Sequence, residues 1–260
     1  MVSISRYSKF FLIKCIFLSI SLSQNFEIEN YLLINKKKPF WLISNKNGLF
    51  NNGSIINLKY KNSQKNIDYG IYAALPLEPS NEIIITTAFV TFNKSNLFMT
   101  LGRKSSYEEN LLLSSGSLIE SSNAIPVPKV SLGIDEYHEI EIGKIQFSLK
   151  GNFAHGWLDK GQYIKAPFLH EKSLYLKKNL FDDYSISFGL VHKALWAGET
   201  IIHGKQPAGV NDFIRVIFAR PGSEKSIDQE KENALGNHLG IWDFSIEKEF
   251  NNKLIKIYLE

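Results

Sequence analysis

The sequence predicts an all-β fold of antiparallel strands, in the form of an outer-membrane β-barrel. Three observations lead there. Short runs of alternating apolar and polar residues recur along most of the chain. Turn-forming clusters punctuate them. The chain opens with an export-type segment and is rich in aromatics, 13% of its 260 residues, with 18 Phe and 11 Tyr, and aromatic residues favour strands and membrane interfaces.

The first 23 residues have the build of a signal peptide. Arg6 and Lys9 make a basic start, Phe10 to Leu22 is an apolar stretch interrupted by Lys14, and Ser21 and Ser23 are small residues two apart, which places cleavage after Ser23. The stretch is short for a membrane-spanning helix. Cys15, the single cysteine, lies within it, so the mature part has no disulfide or thiolate chemistry. Without Arg6, Lys9 and Lys14 the mature part carries 27 basic and 26 acidic residues, and the net charge of +4 falls to +1. Charge therefore gives no support for a nucleic-acid partner.

From residue 24 to 260 a single β-barrel domain is expected. The clearest strands are Lys144 to Phe153, Tyr184 to Leu190, Trp242 to Phe250 and Ile255 to Leu259. Between Tyr184 and Leu190, Ser185, Ser187 and Gly189 share one face and Ile186, Phe188 and Leu190 the other. Similar runs fall near Phe40–Asn45, Ile55–Lys61, Tyr69–Leu75, Glu82–Phe92, Asn96–Arg103, Lys129–Tyr137, Ser173–Lys178 and Asp212–Ala219, about twelve strands in all. No helical period competes with them. Turns are expected at Asn47-Gly48, Asn52-Gly53, Pro79-Ser80-Asn81, Asp159-Lys160-Gly161, Asp182-Asp183, Pro221-Gly222-Ser223 and Asn251-Asn252, and 222–233 reads as a polar, charged loop. Alternation does not say which face is inside. A soluble sandwich buries the apolar face, whereas a barrel in lipid turns it outward.

Few patterns point to catalysis. His138, His155, His170, His192, His203 and His238 form no HExxH motif and no helical zinc pair, and suit polar lumen or loop positions. Asp243, Glu247 and Glu249 fall on one strand face, with residues two apart about 7 Å along a strand. Paired carboxylates for glycoside hydrolysis are geometrically allowed there, but a hydrated wall facing lysines is the commoner use. Ser114-Ser115-Gly116-Ser117 is not a nucleophile elbow, and Gly204-Lys205 lacks the rest of a phosphate loop. Trp157, Trp196 and Trp242 suit either an interface girdle or sugar stacking.

Six further segments follow one another along the chain: Pro39-Phe40-Trp41-Leu42 with Asn45 and Gly48; Leu101-Gly102-Arg103-Lys104; Leu113 to Leu118 with Asn123-Ala124 and Pro126-Val127-Pro128-Lys129; Phe153-Ala154-His155-Gly156-Trp157; Leu169-His170-Glu171-Lys172 with Leu174-Tyr175-Leu176; and Asn233 to Gly240 with Asp243-Phe244. In this order they resemble the Wzi-type capsule assembly family of outer-membrane proteins, of the kind found in Bacteroidetes-like bacteria. Glu120, Ser121 and Ile125 depart from the family pattern. The resemblance covers 39–260. It implies proteins nearly twice as long as this chain that fold as a large eighteen-strand barrel, with about two-thirds of the barrel's strands, the N-terminal ones, in this chain; a C-terminally truncated product is expected, with a smaller closed barrel as the other option.

The resemblance further implies a non-catalytic, lectin-like function: binding capsular polysaccharide or exopolysaccharide and attaching it at the cell surface. Outer-membrane lipid and the barrel assembly machinery are the other implied partners, and no cofactor or metal is expected. Candidate polysaccharide contacts are Arg103, His155, His170, His192, Trp196, Asn237 and His238. An outer-membrane porin or barrel enzyme, with a lumen lined by Asp243, Glu247 and Lys256, and a secreted carbohydrate-binding sandwich remain alternatives.

Overall fold

A computed structural model describes residues 25–31, 44, 47–49, 54–77, 82–105, 117–181, 183–250 and 253–259. The expected signal peptide, Cys15, the strand near Phe40–Asn45 and several expected turns lie outside the described residues.

Among the described residues eleven strands form one antiparallel meander. They are β1 (Phe26–Tyr31), β2 (Ile55–Gln64), β3 (Ile67–Pro76), β4 (Ile84–Lys94), β5 (Leu97–Arg103), β6 (Lys129–Ile142), β7 (Ile145–Trp157), β8 (Phe168–Phe181), β9 (Tyr184–Trp196), β12 (Asn237–Phe250) and β13 (Lys253–Leu259), each paired with its neighbour in that order. Between β9 and β12 lie a small hairpin, β10 (Glu199–Thr200) with β11 (Gly204–Lys205), and two helices, α1 (Val210–Ile217) and α2 (Asp228–Glu232). The all-β antiparallel expectation holds. Closure is not seen: among the described residues β1 and β13 are the two edges, with no pairing between them. An odd number of strands in a meander also leaves its first and last strands parallel, so joining these edges directly would not repeat the antiparallel ladder.

The connections alternate in length. Two-residue turns, Lys65-Asn66, Ser95-Asn96 and Gly143-Lys144, join β2 to β3, β4 to β5 and β6 to β7. Lys65, Ser95 and Gly143 each have positive φ, as two-residue hairpins of the right twist demand. Two residues also separate β8 from β9 and β12 from β13. At the other end the connections are longer: 77–83, 104–128, 158–167 and 197–236. One end of the sheet is therefore trimmed and the other elaborated.

The two faces differ in an inverted sense. Large apolar side chains line one face and are open: Phe188 is 44% exposed and Leu190 40%, and Leu101, Leu132, Leu174 and Phe244 behave alike. Cross-strand register carries this belt across the sheet, as in Ile67–Phe92–Met99–Leu132–Phe153 and Leu174–Leu190–Trp242. The opposite face is polar and enclosed. Thr91, Thr100, Ser131, Ala154, Glu171 and Lys193 are successive cross-strand neighbours on it, and Thr91, Thr100, Ser131 and Glu171 are all buried. The polar side chains are the less accessible set, so the sheet curls around them.

Paired charges satisfy this enclosed face. Glu171 accepts from Lys129 at 2.6 Å and from Lys193 at 2.7 Å, and Lys193 also reaches Glu120 at 2.8 Å. Glu247 binds Lys177 at 2.6 Å and Lys256 at 3.0 Å. Burial of such charges is tolerated only when each is paired. Packing is sharpened by rings lying over glycines. A Cβ on Gly70 would approach the ring of its cross-strand partner Phe89 to 3.0 Å, one on Gly133 the ring of Phe98 to 2.9 Å, and one on Gly189 the ring of Tyr175 to 2.3 Å.

Three sequence expectations are corrected. The run Asp212–Ala219 is helical from Val210 to Ile217, not a strand. Asp212 Oδ2 accepts the Gly209 N–H at 2.9 Å, giving the first turn a local acceptor, and Phe213 and Val216, three apart, meet the sheet side. The polar loop 222–233 contains α2. The described residues hold eleven long strands: Asp212–Ala219 is not one of them, β1 was not foreseen, and the expected strand near Phe40–Asn45 lies outside the described residues. The turn at Asn47-Gly48 is present, with φ of 53° and 70°.

Candidate functional site

The candidate contact residues all fall at the elaborated end of the sheet. Arg103 ends β5, His155 lies near the end of β7, His170 near the start of β8, His192 and Trp196 near the end of β9, and Asn237 and His238 open β12. Five of them form neighbouring rows on the apolar face. His155, His170, Ala194 and His238 are successive cross-strand partners; Trp157, Phe168 and Trp196 form the next row toward the strand ends; Phe153, Lys172, His192 and Gly240 the row on the other side. The histidines are therefore not on the polar face, where lumen positions would have put them.

α1 covers this corner. The ring of Phe213 stacks on Trp196 at 5.4 Å and 17°, and meets His155 at 5.1 Å and His170 at 5.6 Å edge-on. Val216 joins Ala194, Trp196 and Leu235 in a buried cluster. Lys172 Nζ donates to the Ile217 carbonyl, where a cation suits the exposed carbonyls of a helix C-terminus. The chain can turn from β9 toward the helix because Ala197 and Gly198 both adopt positive φ; a Cβ at Gly198 would press on the Lys165 carbonyl at 2.8 Å.

Hydrogen bonding fixes the tautomers of three imidazoles. His238 Nε2 lies 2.9 Å from the Leu235 carbonyl, which only accepts, so that nitrogen carries the proton. His238 Nδ1 is then an acceptor for His192 Nε2–H at 2.8 Å. His170 Nδ1 donates to the Ala154 carbonyl at 3.2 Å. His155 Nδ1, His170 Nε2, His192 Nδ1 and the Trp196 indole nitrogen find no partner among the described residues. No group of three His, Cys, Asp or Glu side chains among the described residues is arranged to hold a metal.

Arg103 and Asn237 lie outside that cluster. The Arg103 guanidinium is 3.3 Å from the carboxylate of Asp159, which lies two residues beyond the partly open Trp157 at the end of β7. Asn237 is exposed. The end of the sheet thus carries an aromatic floor beneath α1 and a rim of hydrogen-bonding groups.

A second grouping, on the enclosed polar face, joins the acidic residues of β12 to lysines and tyrosines that the sequence did not single out. Lys150 Nζ sits 4.9 Å from the centre of the Tyr137 ring and 5.1 Å from that of Tyr175, and Lys177 is 5.4 Å from Tyr137. Asp243 pairs in register with Gly189, one strand beyond Tyr175. Of the acidic trio, Glu247 is committed to two lysines. The described part of the β5–β6 connection, 117–128, reaches this face too: Glu120 meets Lys193 of β9, and Asn47 N–H donates to the Ser122 carbonyl at 2.9 Å.

No family model matches the chain, and no curated protein sequence matches it. One solved structure, a loop L8 deletion mutant of OmpT, an outer membrane protein of Vibrio cholerae, aligns over 90% of this chain and 89% of that chain at 7% identity, with a TM-score of 0.22. An alignment of that score carries no argument about fold or function.

Proposed function

We propose that this chain forms the wall of an outer-membrane β-barrel that holds capsular polysaccharide or exopolysaccharide at its elaborated end without cleaving it. The observation that carries the membrane part is the inverted polarity of the sheet. In water, open Phe, Leu, Ile and Trp side chains across eleven strands would be a large cost, while enclosed Ser, Thr, Lys and Glu would gain nothing. Against lipid the same arrangement is the favourable one: apolar side chains meet acyl chains and polar ones line the interior. The alternation of short turns with long connections agrees, since barrels of this kind have short periplasmic turns and longer external loops.

The polysaccharide part is supported by the ordered resemblance to capsule assembly proteins and by the convergence of its candidate residues on the long-connection end. Sugars are held by hydrogen-bonding groups beside aromatic faces. Arg103, Asp159, Asn237 and Trp157 supply both at the rim. His155, His170, His192, Trp196 and His238 shape the floor under α1. The test is retention of the full chain, refolded in detergent, on polysaccharide extracted from the producing cells, with reducing ends assayed after incubation. Retention without new reducing ends, weakened in Arg103→Ala and Asn237→Ala, is expected. Failure to be retained, or release of reducing ends, contradicts the reading.

A pore is the second reading, favoured by one observation. The 117–128 segment is held against β9 by the Glu120–Lys193 pair, as a loop that narrows a channel would be. Conductance in a planar bilayer that rises in Glu120→Ala supports it.

A further inference from the structure

α1 carries a second apolar stripe that the fold leaves uncovered. Phe213 and Val216 face the sheet. Val210 and Ile214 on the helix and Phe218 at its C-cap follow one another at four-residue steps, 77%, 44% and 62% exposed. At 3.6 residues per turn this stripe lies roughly 130° around the axis from the packed one. Asn211 and Arg215 occupy the remaining side. An eight-residue helix needs one apolar stripe to dock on a sheet, so the second one has a separate cause.

The place of the helix supplies that cause. It rests on the apolar face, where the belt ends and the long connections begin. The stripe therefore continues the belt at the level where a lipid leaflet gives way to its headgroups. Cations stand where phosphates would be. The Arg220 guanidinium lies 5.5 Å over the Phe218 ring, an arrangement that keeps an apolar body beneath a charged tip. Arg215 sits on the polar side, its guanidinium also donating to the Pro221 carbonyl at 2.7 Å.

We infer that α1 is an interfacial anchor, with Val210, Ile214 and Phe218 seated in the acyl–headgroup boundary of a phospholipid surface and Arg220 at the phosphates. The inference rests on the reading of the belt as lipid-facing. It gives the aromatic corner a second role: Phe213, Trp196 and the histidines hold the anchor at a fixed height against the sheet.

The test uses the full chain in a Cys15→Ser background, refolded into vesicles of phosphatidylcholine and phosphatidylglycerol. A polarity-sensitive fluorophore is placed in turn at Ile214→Cys, at Leu190→Cys on the belt and at Lys225→Cys in the exposed 222–233 region. Lipids bearing a nitroxide near the headgroup are the quencher for 210, 214 and 225, and lipids bearing one along the acyl chain are the quencher for the deeper position 190. The anchor predicts that the label at 214 loses about half of its emission or more, that the label at 190 is also quenched, and that the label at 225 is not. Val210→Cys gives the same readout should Ile214→Cys fold poorly. Quenching at 190 with none at 210 or 214 overturns the anchor and leaves the membrane reading standing. A blue shift at 214 that depends on protein concentration but not on the quencher assigns the stripe to a second copy and also overturns it. Absence of quenching at 190 removes the lipid-facing belt, and the anchor with it.

Discussion

Tyr175 on β8 covers Gly189, its directly paired neighbour on β9, so closely that a Cβ at 189 would lie 2.3 Å from the ring. The same ring carries Lys150 at 5.1 Å on the enclosed face. Glycine is thus used where a strand position must leave room for an aromatic ring, against its usual cost in a strand. Gly189→Ala is expected to destabilise the refolded protein by about 1–3 kcal/mol through overpacking. In a Tyr175→Ala background the same change should be neutral or stabilising. A urea-unfolding double-mutant cycle checks the sign change.

The two faces of β9 should respond oppositely to charge. Phe188→Lys, on the open apolar face, is expected to weaken folding into phosphatidylcholine vesicles by about 2–4 kcal/mol, the cost of a lysine near the middle of a bilayer. Ser185→Lys, three residues away on the polar face and paired with Glu247, should cost far less. Equal costs for both would argue against the inverted polarity.

Phe213 is the peg that seats α1. Its ring touches Trp196, His155 and His170. Phe213→Ala is expected to cost about 3 kcal/mol in the stability of this corner, as loss of a large packed ring does, and to raise proteolysis within 197–236 while β1–β9 stay protected. Limited proteolysis with mass spectrometry checks it.

Part of this arrangement was legible in the sequence. Continuing the alternation Ile186, Phe188, Leu190 reaches His192, Ala194 and Trp196, so the apolar-face position of His192 and Trp196 was implied by their spacing. Leu149, Gly151, Phe153 leads to His155 in the same way. What the sequence hid was the cover. Asp212 to Phe218 fits an alternating pattern about as well as a helical one over so few residues. The deciding features, the Gly209–Asp212 bond and a sheet corner waiting for Phe213, are a local contact and a tertiary one. β1 was hidden by its polarity, since Glu27, Glu29 and Asn30 dominate a six-residue strand. Glu29 makes sense only beside Lys59 of β2, at 2.8 Å.

Glu230 gives the 222–236 region a pH dependence. Burial pushes its carboxyl above the ordinary carboxylate range, partly offset by the Gly236 N–H that donates to it at 3.2 Å and by His203 and His238. A carboxyl that binds its proton more tightly in the folded form stabilises that form fully below its unfolded pKa, and the contribution is lost as pH rises through the folded value. Hydrogen exchange of peptides spanning 228–238 should therefore slow as pH falls through the raised pKa, after correction for intrinsic rates. Glu230→Gln should remove the effect.

If the apolar face meets lipid and the polar face does not, the two must differ residue by residue along β9 in what they collide with. A nitroxide scan of single-cysteine variants from Ser185 to Leu190, in the Cys15→Ser background and in phospholipid vesicles, tests it most directly through collision rates with oxygen and with a water-soluble nickel chelate. A period of two is expected, with oxygen favoured at Ile186, Phe188 and Leu190 and minimal at Ser185 and Ser187. Nickel collisions equal to or greater than oxygen collisions at Phe188 and Leu190 would contradict it, because those side chains would then face water.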